Sequence, residues 1–333
     1  KDFLGAQNID PETGQDVGQM RLPISKFLVP VDKALILKNG TANADDSLAD
    51  NMAFEIPRRA LQRSDLMILN IIASNKWQRP IYFTSPYGEL GFGSYIRKDG
   101  LAYRLLPFPA KAPQQNWVIE QALRQMGAGG TSMRDNNLTA IYDNLIHKYE
   151  FGGANKPGVY FDEENRRHLL NIRGIFAEAA GNLADAGKIK EAEALLEKEA
   201  KGILTENMPY GMVSRYSQHN QTGLMLAEAY YKTGKLDQAR KVMEAVKKDI
   251  REQKNYYDYL KTERPEYFSG VASVEEPLNS IMDAASQAIE EKYDPLKKAA
   301  QNPAHEVIPN PAAQAADSGA KADNAQNKDT VNP

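Results

Sequence analysis

The chain of 333 residues contains no cysteine, which excludes disulfides, thiolate metal sites and cysteine nucleophiles. Histidine is also scarce, and the four histidines are far apart in the sequence: His147, His168, His219 and His305. No zinc motif, Gly-x-Ser-x-Gly elbow or phosphate-binding glycine loop is present. The sequence therefore predicts no metal site, no cofactor and no catalytic residue.

A charge surplus and a long hydrophobic run are missing as well. The net charge of −3 argues against a nucleic-acid binder, which usually carries a basic surplus. The longest nearly apolar run, residues 66–73, is far shorter than the roughly 20 residues that cross a bilayer. The first residue is Lys1 with no leader before it, which predicts an excised portion or a processed product of a longer protein.

The composition changes along the chain in a way that predicts two globular parts and a tail. Residues 1–112 are expected to form a small α/β domain with a mixed sheet, and residues 113–164 a helical connector. Residues 165–294 are expected to form an all-α, tetratricopeptide-like domain of helical hairpins. Residues 295–333 are rich in Ala, Asn, Gln, Pro and Lys, which is typical of a disordered low-complexity tail.

Short apolar runs predict the elements of the α/β domain. Runs with strand character occur at residues 24–31, 34–37, 52–56, 81–84 and 101–106. A helix is predicted over about residues 58–74, and its apolar second half should be covered on most sides. Strand, helix and strand at this spacing predict a right-handed crossover between parallel strands.

An internal repeat lies within residues 165–260. The string Ala186-Gly-Lys-Ile-Lys-Glu-Ala192 recurs 47 residues later as Thr233-Gly-Lys-Leu-Asp-Gln-Ala239. This pattern resembles the tetratricopeptide hairpin, in which a glycine ends the first helix in a left-handed turn. The ordinary period is about 34 residues, so about 13 extra residues should lie around positions 205–216. Helices near residues 134–149 and 273–292 are expected to close the ends, because two hairpins alone do not bury a solenoid core.

Arginine and tyrosine side chains in two aromatic blocks are the candidate ligand-binding residues. In one interpretation, Arg79 caps the carbonyl end of the preceding helix and Arg104 pairs with an acid such as Asp99. In the other, Arg79, Tyr82, Tyr103 and Arg104 line a cleft and bind an anionic or sugar ligand, with the aromatic rings stacking on a ring face. The sequence leaves both interpretations open.

A second aromatic cluster, Tyr256, Tyr257 and Tyr259, follows the repeats. Packing within the core and the hairpins explains such a cluster, and a peptide-binding groove is the alternative. Paired carboxylates for acid–base catalysis need a fixed separation in a pocket, which a sequence does not reveal.

Two blocks carry a resemblance to a known family. They are Trp77-Gln-Arg-Pro-Ile-Tyr-Phe83 and Asp99-Gly-Leu-Ala-Tyr-Arg-Leu-Leu-Pro107, and they are followed by Phe151-Gly-Gly153 and Val159-Tyr-Phe-Asp162. In this order the blocks resemble a large bacterial family of multi-pass membrane proteins described as protein O-mannosyltransferase-like. The resemblance covers about residues 20–265.

The resemblance implies a parent protein whose N-terminal membrane part is a lipid-sugar-dependent glycosyltransferase. This chain would be its extramembrane C-terminal region at the periplasmic face, non-catalytic by itself and joined to the membrane part upstream. Its helical repeats would bind an acceptor protein or a partner subunit. The residues of sugar transfer would precede Lys1, so none is assigned here. The alternative is a free-standing periplasmic tetratricopeptide-type interaction module.

Two short strings resemble the Asp-Ser/Thr-aliphatic acceptor motif for O-glycosylation in the periplasm of some bacteria. They are Asp46-Ser47-Leu48 and Asp329-Thr330-Val331. This resemblance predicts that Ser47 and Thr330 are positions of O-glycosylation.

Overall fold

The computed structural model describes residues 12, 24–44, 46–57, 61–86, 88–110, 117–125 and 136–297. Small sheets at the N-terminal end are followed by a mostly helical region, as the sequence predicts. The elements of the described ranges are, in chain order, β1 (Lys26–Pro30), α1 (Lys33–Lys38), β2 (Asn51–Glu55), α2 (Arg63–Asn75), β3 (Tyr82–Phe83), β4 (Ile96–Lys98), β5 (Tyr103–Leu105), α3 (Val118–Gln125), α4 (Leu138–His147), α5 (Glu163–Asp185), α6 (Ile189–Gly202), α7 (Gln218–Lys232), α8 (Leu236–Glu263), α9 (Pro265–Phe268) and α10 (Val271–Tyr293). The predicted tail lies outside these ranges from residue 298 onward.

The strands pair antiparallel in separate sheets, one formed by β1 and β2 and the other ordered β3-β5-β4. The predicted crossover between parallel strands is therefore wrong, because α2 connects strands of different sheets. The strand predicted at residues 34–37 is wrong too, since these residues belong to α1. The Asp32 carboxylate accepts a hydrogen bond from Leu35 N at 3.0 Å, and this N-cap starts the helix in spite of the β-favouring apolar run.

Helix α2 begins at Arg63 and packs on one face only. Ile72 is buried, whereas Met67 and Ile71 are 66% and 51% exposed. The prediction that its apolar half is covered on most sides is wrong for the described part of the chain. Because Met67 and Ile71 are four residues apart, they share one face of the helix. The α/β part thus presents an apolar helix surface to its surroundings.

The block that begins at Trp77 holds the end of α2 against β1 and α1. Lys76 and Trp77 both adopt positive φ angles, 47° and 59°, which turn the chain sharply after the helix. Trp77 is buried, and its Nε1 donates to Pro30 O at 2.9 Å while its carbonyl accepts from Asn39 Nδ2 at 2.7 Å. Burial of the indole offsets the strain of the left-handed turn. The distinctive Trp77 is therefore a structural residue.

Helices α5 to α8 form the two predicted hairpins, in which α5 packs on α6 and α7, and α7 packs on α8. Gly187 and Gly234 end α5 and α7 with the same φ of 76°. Lys188 N donates to Leu183 O at 2.8 Å, and Lys235 N repeats this bond to Tyr230 O at 2.9 Å. Each closure is the six-to-one bond of a Schellman motif. The sequence repeat is thus a structural repeat.

The predicted end helices are confirmed. Helix α4 packs on α5 and α6, while α10 packs on α7, α8 and α3. The extra residues of the long repeat period form the segment 203–217 between α6 and α7. In the described ranges, no helix combines the length and the apolar character that crossing a bilayer requires.

Candidate functional site

Arg104 is used within the fold. Its side chain is buried, pairs with Asp99 and donates to the Gly40 carbonyl, and its guanidinium lies 5.4 Å from the centre of the Tyr82 ring. This is the Asp99 pairing of the first interpretation. Burial raises the pKa of the Asp99 carboxyl, although the Arg104 charge opposes the shift. Arg104 therefore joins β5 to the turn after α1 and is not open to a ligand.

The four candidate residues do not converge on one cleft. Tyr82 is paired with Arg104 across β3 and β5, whereas Tyr103 is paired with Phe83. Successive residues of a strand point to opposite faces, so Tyr103 and Arg104 face different sides of the sheet. Arg79 is exposed, and its backbone N donates to Asn75 Oδ1 at 3.3 Å. Its guanidinium forms no hydrogen bond or ion pair with the described residues, so it does not cap α2 in the way of the first interpretation.

Tyr103 lines a cavity of about 480 Å³ between the second sheet and helices α5 and α7, called the junction cavity below. The helical wall includes Asn171 and Glu178 from α5 and Gln218 from α7, and Lys98 of β4 stands on the opposite side. The cavity therefore lies where the α/β part meets the first helices of the two hairpins.

An ion pair crosses this junction between Lys98 and Glu178, whose side chains are 16% and 10% exposed. Asn136 Nδ2 donates to the other Glu178 oxygen at 3.1 Å. Burial lowers the pKa of Lys98, but the charge and hydrogen bond of Glu178 outweigh it and raise that pKa. A further link is the bond from Leu101 N to Tyr149 Oη at 2.9 Å. Sequence reasoning missed Lys98 and Glu178 because they are 80 residues apart and neither has a local motif.

A second cleft, of about 1050 Å³, lies among residues 213–216, the end of α8, the α9 segment and the start of α10. Exposed rings of Tyr216, Tyr256 and Tyr267 line it, with exposed fractions of 44%, 57% and 68%. We call it the tyrosine cleft. Arg215 lies over the Tyr216 ring, 4.8 Å from its centre.

The predicted cluster at the end of α8 is divided by the fold. Tyr256 is exposed and Tyr257 is buried, and both line the tyrosine cleft, whereas Tyr259 is exposed and lies outside the lining. Glu275, also buried, accepts from Tyr216 N at 2.7 Å and holds segment 213–216 against α10. The burial of Tyr257 is the packing of the first interpretation, and the peptide-binding groove stays a hypothesis.

A buried arginine, which the sequence analysis did not single out, shapes the inserted segment. Arg173 of α5 is 1% exposed, and its Nε donates to Glu199 Oε1 at 2.8 Å. Its two remaining nitrogens donate to Pro209 O at 2.9 Å and Met208 O at 3.0 Å. Arg173 thereby fixes residues 203–217 on the first hairpin, and this segment in turn forms one wall of the tyrosine cleft.

The described histidines belong to no cluster of candidate metal ligands. In the part of the chain that the structure describes, no three or more His, Cys, Asp or Glu side chains come together as metal ligands. His147 and His168 are exposed and lie 3.8 and 3.3 Å from Asp143 and Glu164, pairs at helical spacing that sequence reasoning overlooked. Burial and the charge of Arg173 lower the pKa of His219 to about 4, so it is neutral at pH 7. His305 lies outside the described residues.

Of the two predicted glycosylation positions, the structure describes only Ser47. It is exposed in the loop between α1 and β2. The neighbouring Asp46 carboxylate binds the Arg97 guanidinium at 2.7 and 3.1 Å, which anchors the loop and leaves Ser47 outward. Thr330 lies outside the described residues.

Comparison with protein families gives two matches. Residues 5–123 match the family model described as TMEM260-associated domain 2, and residues 183–263 match the one described as Tetratricopeptide repeat. No curated protein and no solved structure gives a significant match to the chain. The second match begins at the last turn of α5 and ends with α8, so it spans the repeated hairpin turns. The chain thus contains a TMEM260-associated domain followed by a tetratricopeptide-like repeat, which is consistent with the TMEM260/O-mannosyltransferase-like family.

Proposed function

We propose that this chain is the non-catalytic extramembrane region of an O-mannosyltransferase-like membrane glycosyltransferase, at the periplasmic face of the membrane. In this proposal its helical region binds an acceptor protein or a partner subunit. The two family matches support the parentage, and tetratricopeptide-like repeats generally mediate protein–protein interaction. The observation that carries the binding role is the tyrosine cleft.

The chemistry of the tyrosine cleft suits a protein partner. Tyrosine is enriched at protein interfaces because its large, stiff ring buries much apolar area while its hydroxyl hydrogen-bonds. Val213 and Val274, which are 65% and 50% exposed, extend the apolar lining between the rings. A cleft lined by aromatic rings and apolar side chains is the kind of groove that a peptide segment of a partner occupies. Arg215 adds a side-chain type that is frequent among residues dominating binding energy.

The α/β part offers a surface of a different kind for the membrane part upstream. The exposed face of α2 carries Met67 and Ile71, and helix surfaces of this character pack against another element when a partner is present. We propose that this face docks on the membrane part of the same polypeptide. The tyrosine cleft would then be left free for the acceptor or partner.

Site-specific photo-crosslinking tests the binding role. Benzoylphenylalanine is incorporated at position 256 of the full-length protein in its native host, and crosslinked products are identified by mass spectrometry. Tyr160 is the matched control position, because it is 83% exposed and lies outside the cleft. We expect a defined adduct from position 256, absent from position 160 and lost in a Tyr267→Ala background. Equal adducts from both positions would contradict the proposal.

The free-standing periplasmic interaction module remains the second candidate, since the tyrosine cleft serves either role. The coding sequence upstream of Lys1 discriminates between them. About ten or more apolar stretches of roughly 20 residues favour the membrane glycosyltransferase. A cleavable signal peptide directly before Lys1 favours the free-standing module.

A further inference from the structure

The junction cavity has the size and position of a small-molecule site. Its volume of about 480 Å³ falls within the range of roughly 300–1,000 Å³ that is usual for ligand pockets. Such pockets occur preferentially where two folding units meet, and this one lies between the second sheet and the helices α5 and α7. The proposed protein-binding role uses a different surface.

The charges of the cavity favour a neutral ligand. Lys98 and Glu178 are the charged side chains that line it in the described part of the chain, and they are paired with each other. An anionic ligand would have to compete with Glu178 for Lys98, and a cationic ligand with Lys98 for Glu178. Separating a poorly hydrated ion pair leaves an uncompensated charge. The arginines first considered for an anion, Arg79 and Arg104, do not line the cavity.

The polar lining consists largely of amide and hydroxyl groups. Asn171 and Gln218 line the cavity with exposed side chains, so their amide groups are accessible to a ligand. Gln221 donates from Nε2 to Tyr216 O at 2.9 Å, which leaves its Oε1 as an acceptor. An amide offers both donors and acceptors, and so does a sugar hydroxyl, so the two complement each other in either orientation.

The remaining lining is apolar and includes one aromatic ring. Tyr103 is half-buried on β5, and Leu101 and Met225 lie beside it around the cavity. A sugar ring presents C–H groups on its faces and hydroxyls around its rim. An aromatic face can therefore contact the C–H groups of the sugar while the neighbouring amide side chains bind its hydroxyls.

The α/β part also determines which class of ligand fits. Asn171 and Glu178 on α5, with Gln218 and Gln221 on α7, form a row of polar groups that an extended peptide would suit if the row were open. The second sheet stands over this row, and the Lys98–Glu178 pair ties it there. The sheet encloses these polar groups in a cavity of limited length, which suits a compact ring better than an extended peptide chain.

We propose that the junction cavity is a binding site for a neutral saccharide ring, with Tyr103 stacking on the ring and Asn171 and Gln218 bonding its hydroxyls. This site goes beyond the proposed protein-binding function and does not depend on it. It gives Tyr103 the ligand contact considered from the sequence, without Arg79, Tyr82 or Arg104.

Saturation-transfer-difference NMR on the whole chain tests the proposal with D-glucose, D-galactose, D-mannose and N-acetyl-D-glucosamine as probes. At least one of these sugars is expected to receive saturation and to show a dissociation constant of about 1 mM or below by titration. Tyr103→Ala should weaken binding about tenfold, because the stacking face is lost.

A steric block provides the sharper variant. Gly174 lines the cavity on α5, and a Cβ added there would lie no closer than 3.8 Å to Thr222. Gly174→Leu should therefore fill the cavity, retain the helical circular-dichroism spectrum and abolish sugar binding. Tyr160→Ala is the control and should bind the sugar as the unaltered chain does, because Tyr160 is 83% exposed and lies outside both the junction cavity and the tyrosine cleft.

Three results would overturn the inference. They are the absence of a saturation effect with all four sugars at about 10-fold above the expected dissociation constant, unchanged sugar binding by Gly174→Leu, and saturation of a tetra-alanine peptide with acetylated and amidated ends in place of the sugars. Photo-crosslinking from position 256 is measured separately, so failure here is distinguishable from failure of the protein-binding role.

Discussion

Replacing Arg173 by methionine should be among the most damaging single changes in the helical region. The substitution keeps much of the side-chain volume but leaves the Glu199 carboxylate, 1% exposed, without its cation. It also removes the donors to the carbonyls of Met208 and Pro209. Breaking a buried ion pair in this way costs about 3–5 kcal/mol. We expect Arg173→Met to lower the free energy of unfolding by that amount at pH 7.

The loss should depend on pH with a definite sign. Burial raises the pKa of Glu199, and Arg173 opposes that shift. Without Arg173 the folded-state pKa rises further above its unfolded value, so folding favours the protonated carboxyl. The deficit of Arg173→Met is therefore largest at neutral pH and shrinks as the pH falls through the raised pKa of Glu199. Arg173 also contributes to lowering the pKa of His219 to about 4, which costs stability at low pH. Arg173→Met removes this contribution, so it too makes the deficit of the variant smaller as the pH falls.

Urea unfolding measures this prediction in a Trp77→Phe background. Trp77 lies in the core of the α/β part and Trp117 in the helical core, so the remaining fluorescence reports the helical region. The control is Arg167→Met on the same helix, whose pair with Glu164 has side chains 60% and 58% exposed. The control should change stability by less than about 1 kcal/mol.

A double variant separates the unpaired charge from general damage to packing. Arg173→Met combined with Glu199→Leu removes both charges, and such replacements are often close to neutral. The double variant should therefore be more stable than Arg173→Met alone. A cost of less than about 1 kcal/mol for Arg173→Met, or a double variant less stable than Arg173→Met, would show that the unpaired Glu199 charge is not the cause of the loss.

Three further predictions concern single positions. Gly181→Ala should cost about 1–3 kcal/mol by thermal unfolding, because an added Cβ would overlap the Trp117 ring, whereas Gly174→Ala on the same helix should not destabilise. Lys98→Met should speed proteolytic cleavage between the α/β and helical parts, since it removes the pair across the junction, and an unchanged cleavage rate would contradict that role. Protein purified from its native host should carry added hexose that Ser47→Ala lacks, and an unmodified intact mass would remove the glycosylation hypothesis.

The helical repeat was predictable because its signal is local. Gly187 and Gly234 occupy equivalent places in matching strings, and a glycine after an apolar helix predicts a left-handed closure wherever it occurs. The helices that close the ends follow from the need to cover the apolar faces of the hairpins. Neither inference requires knowledge of distant contacts.

The sheets were not predictable in the same way. Strand pairing depends on contacts between segments that are distant in sequence. The antiparallel pairing of Phe27 with Phe54 therefore cannot be read from the sequence of either strand alone. The apolar run within α1 has strand character, but the Asp32 carboxylate caps its first turn and stabilises a helix instead. The exposure of Met67 could not be predicted either, because it depends on which face of α2 the other described elements cover.

In the candidate sites, too, local features were predictable from the sequence and contacts between distant residues were not. The aromatic blocks identified Tyr103 and Tyr256 as residues of interest, since large rings in short blocks are visible in the sequence. The residues around these rings could not be predicted, because Glu178 beside Tyr103 and Tyr216 beside Tyr256 belong to segments that are distant in sequence. Tyr256 and Tyr257 are about 100° apart around α8, and the positions of segment 213–216 and α10 determine which of the two rings is buried and which is exposed in the cleft.

Under the proposed function, the tyrosine cleft recruits the protein on which the parent membrane enzyme acts, or a partner needed for that action. The most direct measurement is the hexose content of periplasmic proteins, determined by mass spectrometry in cells whose full-length protein carries Tyr256→Ala and Tyr267→Ala. We predict a loss of glycosylated acceptor with normal amounts of the variant protein, while cells with Tyr160→Ala remain unchanged. Undiminished glycosylation in the double variant would show that the tyrosine cleft does not recruit the acceptor or the partner.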